Sequence, residues 1–234
     1  MKIKTDEKFI ARKARLGKYS SLAGLVVLSL GMFISFSKPE WFNLSLLCLV
    51  VGFGIASIGS YNVSRWVRPP RGDEVLEKAL KGLSNKYQLF NYTLPSPHVL
   101  LTPFGLYVLL TKKQDGQVTY RGHDKWYQQK DFKRRLRLFF GGEQPVGNPS
   151  AELASELGSL RKYLSQRLPN QEIPLDGAIV FLSPDVNLTI ESDDLPVLKP
   201  KDLKKFLTDQ QRQKQNWPAS QLNEVAEALE SPGK

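Results

Sequence analysis

The side chains best placed to do chemistry are Lys112 and Lys113. They close the apolar run LYVLL at residues 106–110 and put two ammonium groups where a sheet edge would meet a ligand or solvent. An ammonium there is a point charge suited to phosphate. A second cationic set follows at residues 130–140, KDFKRRLRLFF, where Lys133, Arg134, Arg135 and Arg137 are interleaved with Phe132, Leu136 and Leu138. Two partners fit that pattern equally well in kind. One is a nucleic-acid backbone, bound in a salt-dependent way without sequence preference. The other is a layer of anionic lipid headgroups, with Phe139 and Phe140 dipping into the bilayer. A plainly solvated segment would read the same, and proximity to the membrane tips the choice towards lipid.

Other candidates carry less. His123 beside Asp124 has the types for acid/base work, but no nucleophile accompanies the pair. His98 opens a buried strand and reads as a hydrogen-bonded core or edge residue. Asp185, Asn187, Glu191, Asp193 and Asp194 lack the spacing of a calcium loop. Cys48 is the sole cysteine and lies within an apolar run, so it reads as a small filler and can form no disulfide within the chain. There is no Gly-rich nucleotide loop, nucleophile elbow or zinc-ligand spacing. No catalytic residue, metal ligand or cofactor is therefore assigned.

The elements that position Lys112 can be read from pattern. Apolar runs at residues 98–101 and 106–110 flank Pro103 and Gly105, which predicts two buried strands and a tight turn. Asp115-Gly116 marks the next turn, before an alternating strand at 117–121. Residues 73–83 predict a helix with Leu76, Leu80 and Leu83 on one face, and 87–94 a strand. Asn148-Pro149 caps a helix whose stripe is Leu153, Leu157, Leu160, Leu164 and Leu168. AIVFL at 178–182 predicts a strand covered on both faces, hence an α/β sandwich. Short strands at 188–190 and 197–198 and helices at 200–208 and 218–230 complete the reading.

The N-terminal quarter is of another kind. Residues 19–36 and 44–60 are uncharged runs, each near the length that spans a hydrocarbon core of about 30 Å, and the link between them is short enough to make a helical hairpin. A basic leader (1–18) precedes the hairpin (19–60), and a linker (61–72) with Pro69-Pro70 follows it. Next come an α/β domain (73–208) and a polar hinge with a C-terminal helix (209–234). Basic residues crowd the leader and linker, whereas the hairpin loop has only Lys38. The positive-inside rule then predicts two membrane spans with both termini cytoplasmic. Much of the net charge of +10 thus lies beside the bilayer, which weakens any inference from charge to nucleic acid. Gly52, Ala56 and Ser60 form a small-residue stripe for the partner helix or for a second copy of the chain.

The stretch Pro103-Phe104-Gly105-Leu106-Tyr107-Val108-Leu109, with Lys112 and Gly116, resembles the nuclease-related domain, a branch of the restriction-endonuclease-like PD-(D/E)xK group. The resemblance extends upstream to Gly72-Asp73-Glu74 and downstream to Asn148-Pro149. It implies a mixed sheet flanked by helices, and a divalent cation held by an Asp before the His of the first strand and a Glu two residues before the Lys. Those positions are Pro97 and Leu110 here, neither of which can ligate a metal; the family's Gln after Asn-Pro falls at Glu152. The expected protein is a membrane-anchored, catalytically degenerate binding or scaffold module at the cytoplasmic face. Two alternatives stand beside it. One is an active nuclease with a carboxylate relocated to Asp73, Glu74, Glu77, Asp115 or Glu152, and the other is a nucleic-acid binder without chemistry. The side chains around the Lys112 ammonium discriminate between them.

Overall fold

The computed structural model describes residues 1–129, 145–169 and 171–230. The chain divides into two compact units, one comprising residues 1–6, 72–129 and 146 onward, the other containing residues 7–71.

The first unit is an α/β sandwich. Its main sheet holds β1 (Lys2–Thr5), β2 (Gln88–Asn91), β3 (His98–Thr102), β4 (Gly105–Lys112), β7 (Leu175–Phe181) and β9 (Val197–Leu198), in that spatial order. The sheet is mixed. β2, β3 and β4 are antiparallel neighbours, while β1 runs parallel to β2, and β7 parallel to both β4 and β9. A second sheet holds β5 (Gly116–Tyr120) between β6 (Trp126–Gln128) and β8 (Val186–Ile190). The three strands read from residues 98–121 therefore part company. The first two form a hairpin in the main sheet, and the third leaves at Gly116, whose φ of +69° suits glycine, to start the small sheet.

Alternation along the strands supplies both faces of the main sheet. Leu76 and Leu80 of α3 (Gly72–Leu80) and Leu203 and Leu207 of α5 (Leu203–Gln213) pack on Leu100, Tyr107, Leu109, Ala178 and Val180. On the other face, Leu153, Leu160 and Leu164 of α4 (Pro149–Arg167) and Val225 and Leu229 of α6 (Ala219–Glu230) cover Val99, Val108, Ile179 and Phe181. β7 is covered on both sides, as its unbroken apolar run predicts. The Asn148 side chain caps α4 by accepting from the Ala151 N–H at 3.1 Å. The polar run from residue 209, expected as a hinge, instead continues α5 to Gln213. The reason is docking: Gln210 and Gln211 accept hydrogen bonds from the buried Tyr107 and Tyr87 hydroxyls.

Nor did the pattern disclose β1. Four residues of an apparently basic leader form the sheet's edge strand, with Lys2 paired to Gln88 and Thr5 to Asn91. The Asp6 N–H extends the ladder by donating to the Asn91 carbonyl at 3.0 Å.

The second unit is a helical hairpin, α1 (Glu7–Ser37) and α2 (Phe42–Trp66), joined through a 3-10 turn at Pro39–Trp41. Helix α1 begins at Glu7, so most of the leader is helical. Glycines make the seam: Gly17, Gly24 and Gly31, seven residues apart, face a line through Ser45, Gly52 and Gly59. That line shares Gly52 with the expected stripe, and Ala56 also touches Gly24, but Gly59 takes the place foreseen for Ser60. A Cβ on Gly24 would lie 2.5 Å from the Ala56 nitrogen, and one on Gly59 2.3 Å from the Ser21 nitrogen. Backbone thus meets backbone, the close approach that small residues permit. The large apolar side chains, among them Leu25, Leu30, Phe33, Leu47, Val50 and Phe53, point outwards.

This seam makes a direct prediction. Gly59→Ala has no flexible neighbour to displace and should destabilise the hairpin by about 1–3 kcal/mol. Gly54→Ala, where an added Cβ meets nothing within 4 Å, should be neutral or mildly stabilising. Thermal unfolding followed by circular dichroism in detergent micelles compares them, and equal effects would exclude the seam.

Candidate functional site

Lys112 ends β4, an interior strand flanked by β3 and β7, and not a sheet edge. Its side chain follows Leu106, Val108 and Leu110 on the face covered by α4. The residue is only 7% exposed. An ammonium so placed must find acceptors, since burying an unpaired charge is costly. Among the described residues it finds two: Nζ donates to Glu152 Oε1 at 2.6 Å and to the Val146 carbonyl at 3.1 Å. The Glu152 carboxylate is half-exposed.

Local structure explains why Glu152 is there. Asn148 and Pro149 fix where α4 begins, so Glu152 falls in the first turn, where the helix dipole favours a carboxylate. Two hydrogen bonds from β6 brace the same turn. Trp126 Nε1 donates to Ser150 Oγ at 2.8 Å, and Gln128 Oε1 accepts from the Val146 N–H at 3.1 Å. Trp126 itself stacks on Tyr120, ring centroids 4.4 Å apart. The roles of Val146, Ser150 and Gln128 were not legible beforehand. Only the Asn-Pro cap, which sets the phase of Glu152, offered a signal.

The β3/β4 register pairs Val99 with Val108; continued by two residues, it sets Pro97 opposite Leu110. Both then fall on the face of Lys112 and Glu152, although Pro97 itself lies just outside β3. Of the remaining acidic candidates, Asp115 stays beside the site, its carbonyl accepting from Gln128 Nε2 at 3.3 Å, and the others sit elsewhere. Asp73, Glu74 and Glu77 belong to α3, on the opposite face of the sheet. There Gly72 approaches the His98 ring so closely that a Cβ would lie 2.8 Å from Nε2. His98 is buried, and its Nδ1 lies 2.8 Å from Asn91 Oδ1. The Asn91 amide in turn donates to Thr5 Oγ1 of β1 at 3.1 Å. Among the described residues, no group of three or more His, Cys, Asp or Glu side chains could hold a metal ion.

The other cationic candidates separate. Lys113 is half-buried, and alternation turns it to the face opposite Lys112. Lys133, Arg134, Arg135 and Arg137 lie outside the described residues. His123 and Asp124 are both exposed. With Gly122 they form a left-handed turn between β5 and β6, all three having positive φ. That turn is pinned from across the small sheet: Asp194 Oδ2 accepts from the Tyr120 hydroxyl at 2.8 Å and the His123 N–H at 3.3 Å. Oδ1 accepts from Ser192 at 2.7 Å. Hydrogen bonds from Ser192 and then Tyr120 hold the Asp194 carboxyl below its ordinary range.

Residues 70–182 match the nuclease-related domain family. No match was found to any curated protein or to any solved structure.

Two outcomes follow from these contacts. Lys112→Ala leaves the Val146 carbonyl without its donor and should lower stability by about 1–3 kcal/mol in chemical denaturation. Glu152→Gln, which keeps an acceptor near Nζ, should cost less. A group with a lowered folded pKa stabilises above its unfolded value and loses that contribution as pH falls through the folded one. The stability gap between wild type and Asp194→Asn should therefore be full at neutral pH and close below about pH 4, which urea titrations across that range would read.

Proposed function

Because residues 70–182 make this chain a carrier of the nuclease-related domain, we propose that it is a membrane-anchored binding or scaffold module in which that domain works without cleaving phosphodiesters. The observation that carries this reading is the Lys112–Glu152 ion pair beside Pro97 and Leu110. In a metal-dependent nuclease of this architecture, the resemblance assigns the lysine to developing charge on phosphate and the two flanking positions to a cation's oxygen ligands. Here the flanking positions carry a pyrrolidine ring and an isobutyl group, and the Glu152 carboxylate already accepts from the lysine. Such a donor set does not fit a divalent cation, which takes several oxygen ligands.

The membrane half of the reading has separate support. Both helices are long and apolar enough to cross a bilayer, 31 and 28 residues including the 3-10 turn, and only 11% and 17% of their most apolar windows are buried. A pair of core helices in a soluble protein would be mostly covered. Tyr19 and Tyr61 are exposed towards the base of the hairpin, and Phe36, Trp41 and Phe42 at its tip. Tyr19 to Ser37 spans about 27 Å along α1, and Phe42 to Tyr61 about 29 Å along α2. That spacing suits aromatic residues at both interfaces of one hydrocarbon core.

The pairing of β1 with β2 supports the orientation. Residues 2–5 precede the hairpin and residues 88–91 follow it, yet they are neighbours in one sheet. If α1 and α2 each cross the bilayer, N-terminus and domain must share a side, whatever the charges say. The basic residues flanking the spans make that side the cytoplasm.

Two measurements test this function. The full chain in detergent should give no calorimetric heat with Mg²⁺ or Mn²⁺ and no EDTA-sensitive cleavage of single- or double-stranded DNA or RNA. Cleavage lost in Lys112→Ala, or a Mn²⁺ heat lost in Glu152→Gln, would establish instead a nuclease that uses Glu152 as a relocated ligand. For topology, Lys86→Cys and Lys38→Cys in a Cys48→Ser background should label from opposite sides with an impermeant maleimide. Labelling of both from one side would refute the two-span hairpin.

A further inference from the structure

We propose that the base of the helical hairpin is a built receptor for the phosphodiesters of anionic lipid, made by arginines of α1 and α2 brought to the same height. The inference rests on the membrane reading above and adds the chemistry of the lipid partner. It begins from the seam. Gly17 faces Asn62, Ser21 faces Gly59, Gly24 faces Ala56, Leu28 faces Gly52, and Gly31 faces Cys48. Facing residue numbers in these pairs total 79 or 80, and 76 where Gly31 meets Ser45 and Gly24 meets Gly52, which fixes the antiparallel register to within about one turn. Continued downwards, that register sets Tyr19 beside Tyr61 and Arg15 beside Arg65, while Arg68 follows just past the end of α2 at Trp66. The two helices remain together at this end, since Ile10 and Trp66 are buried and the Phe9 and Trp66 rings meet edge to face at 5.4 Å.

The heights match the layers of a bilayer. If the Tyr19/Tyr61 rung marks the edge of the hydrocarbon, Arg15 and Arg65 stand four residues, about 6 Å, outside it. The headgroup layer extends about 5–7 Å beyond the hydrocarbon on each side, so this rung lies at phosphate depth. Arg12 stands about 10 Å out along α1, and Arg68 follows the end of α2. All four arginines are exposed. Arg65 is also held in place: its Nη1 donates to the Tyr61 hydroxyl at 3.1 Å and its guanidinium lies 5.4 Å over the Trp66 ring. A planar guanidinium fixed in this way is suited to forked hydrogen bonding with phosphate oxygens.

Charge marks the same end. Residues 7–18 and 61–71 together carry eight basic side chains and one acidic, a balance of +7, whereas the tip carries Lys38 and Glu40, a balance of zero. Anionic lipid would therefore gather around one end of the hairpin and one leaflet. The helical form of residues 8–18 matters here, because a helix holds Arg12 and Arg15 at fixed heights, as a loose leader could not.

The test uses the full chain reconstituted in phosphatidylcholine bilayers, with spin-labelled phosphatidylglycerol or phosphatidylcholine as the reporting lipid. The fraction of motionally restricted label gives the relative association of the two headgroups. Phosphatidylglycerol should be favoured at least fivefold, the effect of about one charge at the surface. Arg15→Gln with Arg65→Gln should lower the ratio at least about twofold, while Lys38→Gln at the tip should leave it unchanged. Equal restriction of both lipids by the wild-type chain, or a ratio unmoved by the double substitution, would overturn the proposal with the membrane reading intact. A chain that alkaline carbonate strips from the bilayers would overturn both.

Discussion

A charged group at the end of a strand covered on both faces dictates much of what surrounds it. β4 is apolar because it sits between β3 and β7 with helices above and below, and Lys112 is its last residue. The ammonium has little access to water, so the chain must bring it acceptors, and it does so with the first turn of α4. The Asn148 cap, the Trp126–Ser150 and Gln128–Val146 hydrogen bonds and the Tyr120–Trp126 stack can all be understood as fixing that turn where Glu152 and the Val146 carbonyl reach Nζ. The small sheet thereby gains a purpose: its strand β6 braces the segment that neutralises the lysine.

The same economy of contacts shapes the hairpin. Helices in hydrocarbon gain nothing from burying large apolar side chains against one another, because lipid tails offer the same environment. The seam is accordingly glycine against backbone, and the leucines, valines and phenylalanines face outwards. In the α/β unit the arrangement is reversed, with large side chains inside and most lysines outside. One chain thus follows opposite packing rules in its two units, and the hairpin's rule suits helices long and apolar enough to cross a membrane.

β1 joins these descriptions. A strand at the very start of the chain completes the sheet's edge, and the polypeptide between it and β2 contains α1, α2 and α3. The hairpin is therefore the body of a parallel crossover rather than a detachable leader. The family match, which begins at residue 70, leaves out this edge strand. Its last residue, Thr5, is linked by hydrogen bonds through Asn91 to the buried His98, so the edge is tied into the polar interior and not only to the ladder.

Much of this was legible from residue order. Uncharged runs of spanning length, the two-faced apolar run of β7, the Asn-Pro cap and the leucine stripe of α4 are local signals with local causes, and each appears where expected. The likeness carried by residues 103–116 likewise gave the domain. What the sequence could not give was anything that depends on which distant segments meet. β1 reads as a basic leader because four residues carry no usable periodicity, and only pairing with β2 makes them a strand. The seam ran through Gly59 and not Ser60 because α2's rotation is set by where α1's glycines admit its backbone. Lys112 read as edge-facing because β4's central place follows from the parallel return of β7, a partner about seventy residues away. Composition and periodicity determined the elements; tertiary contact decided which charge is neutralised and which glycines touch, since those depend on distances between residues that the chain itself does not bring together.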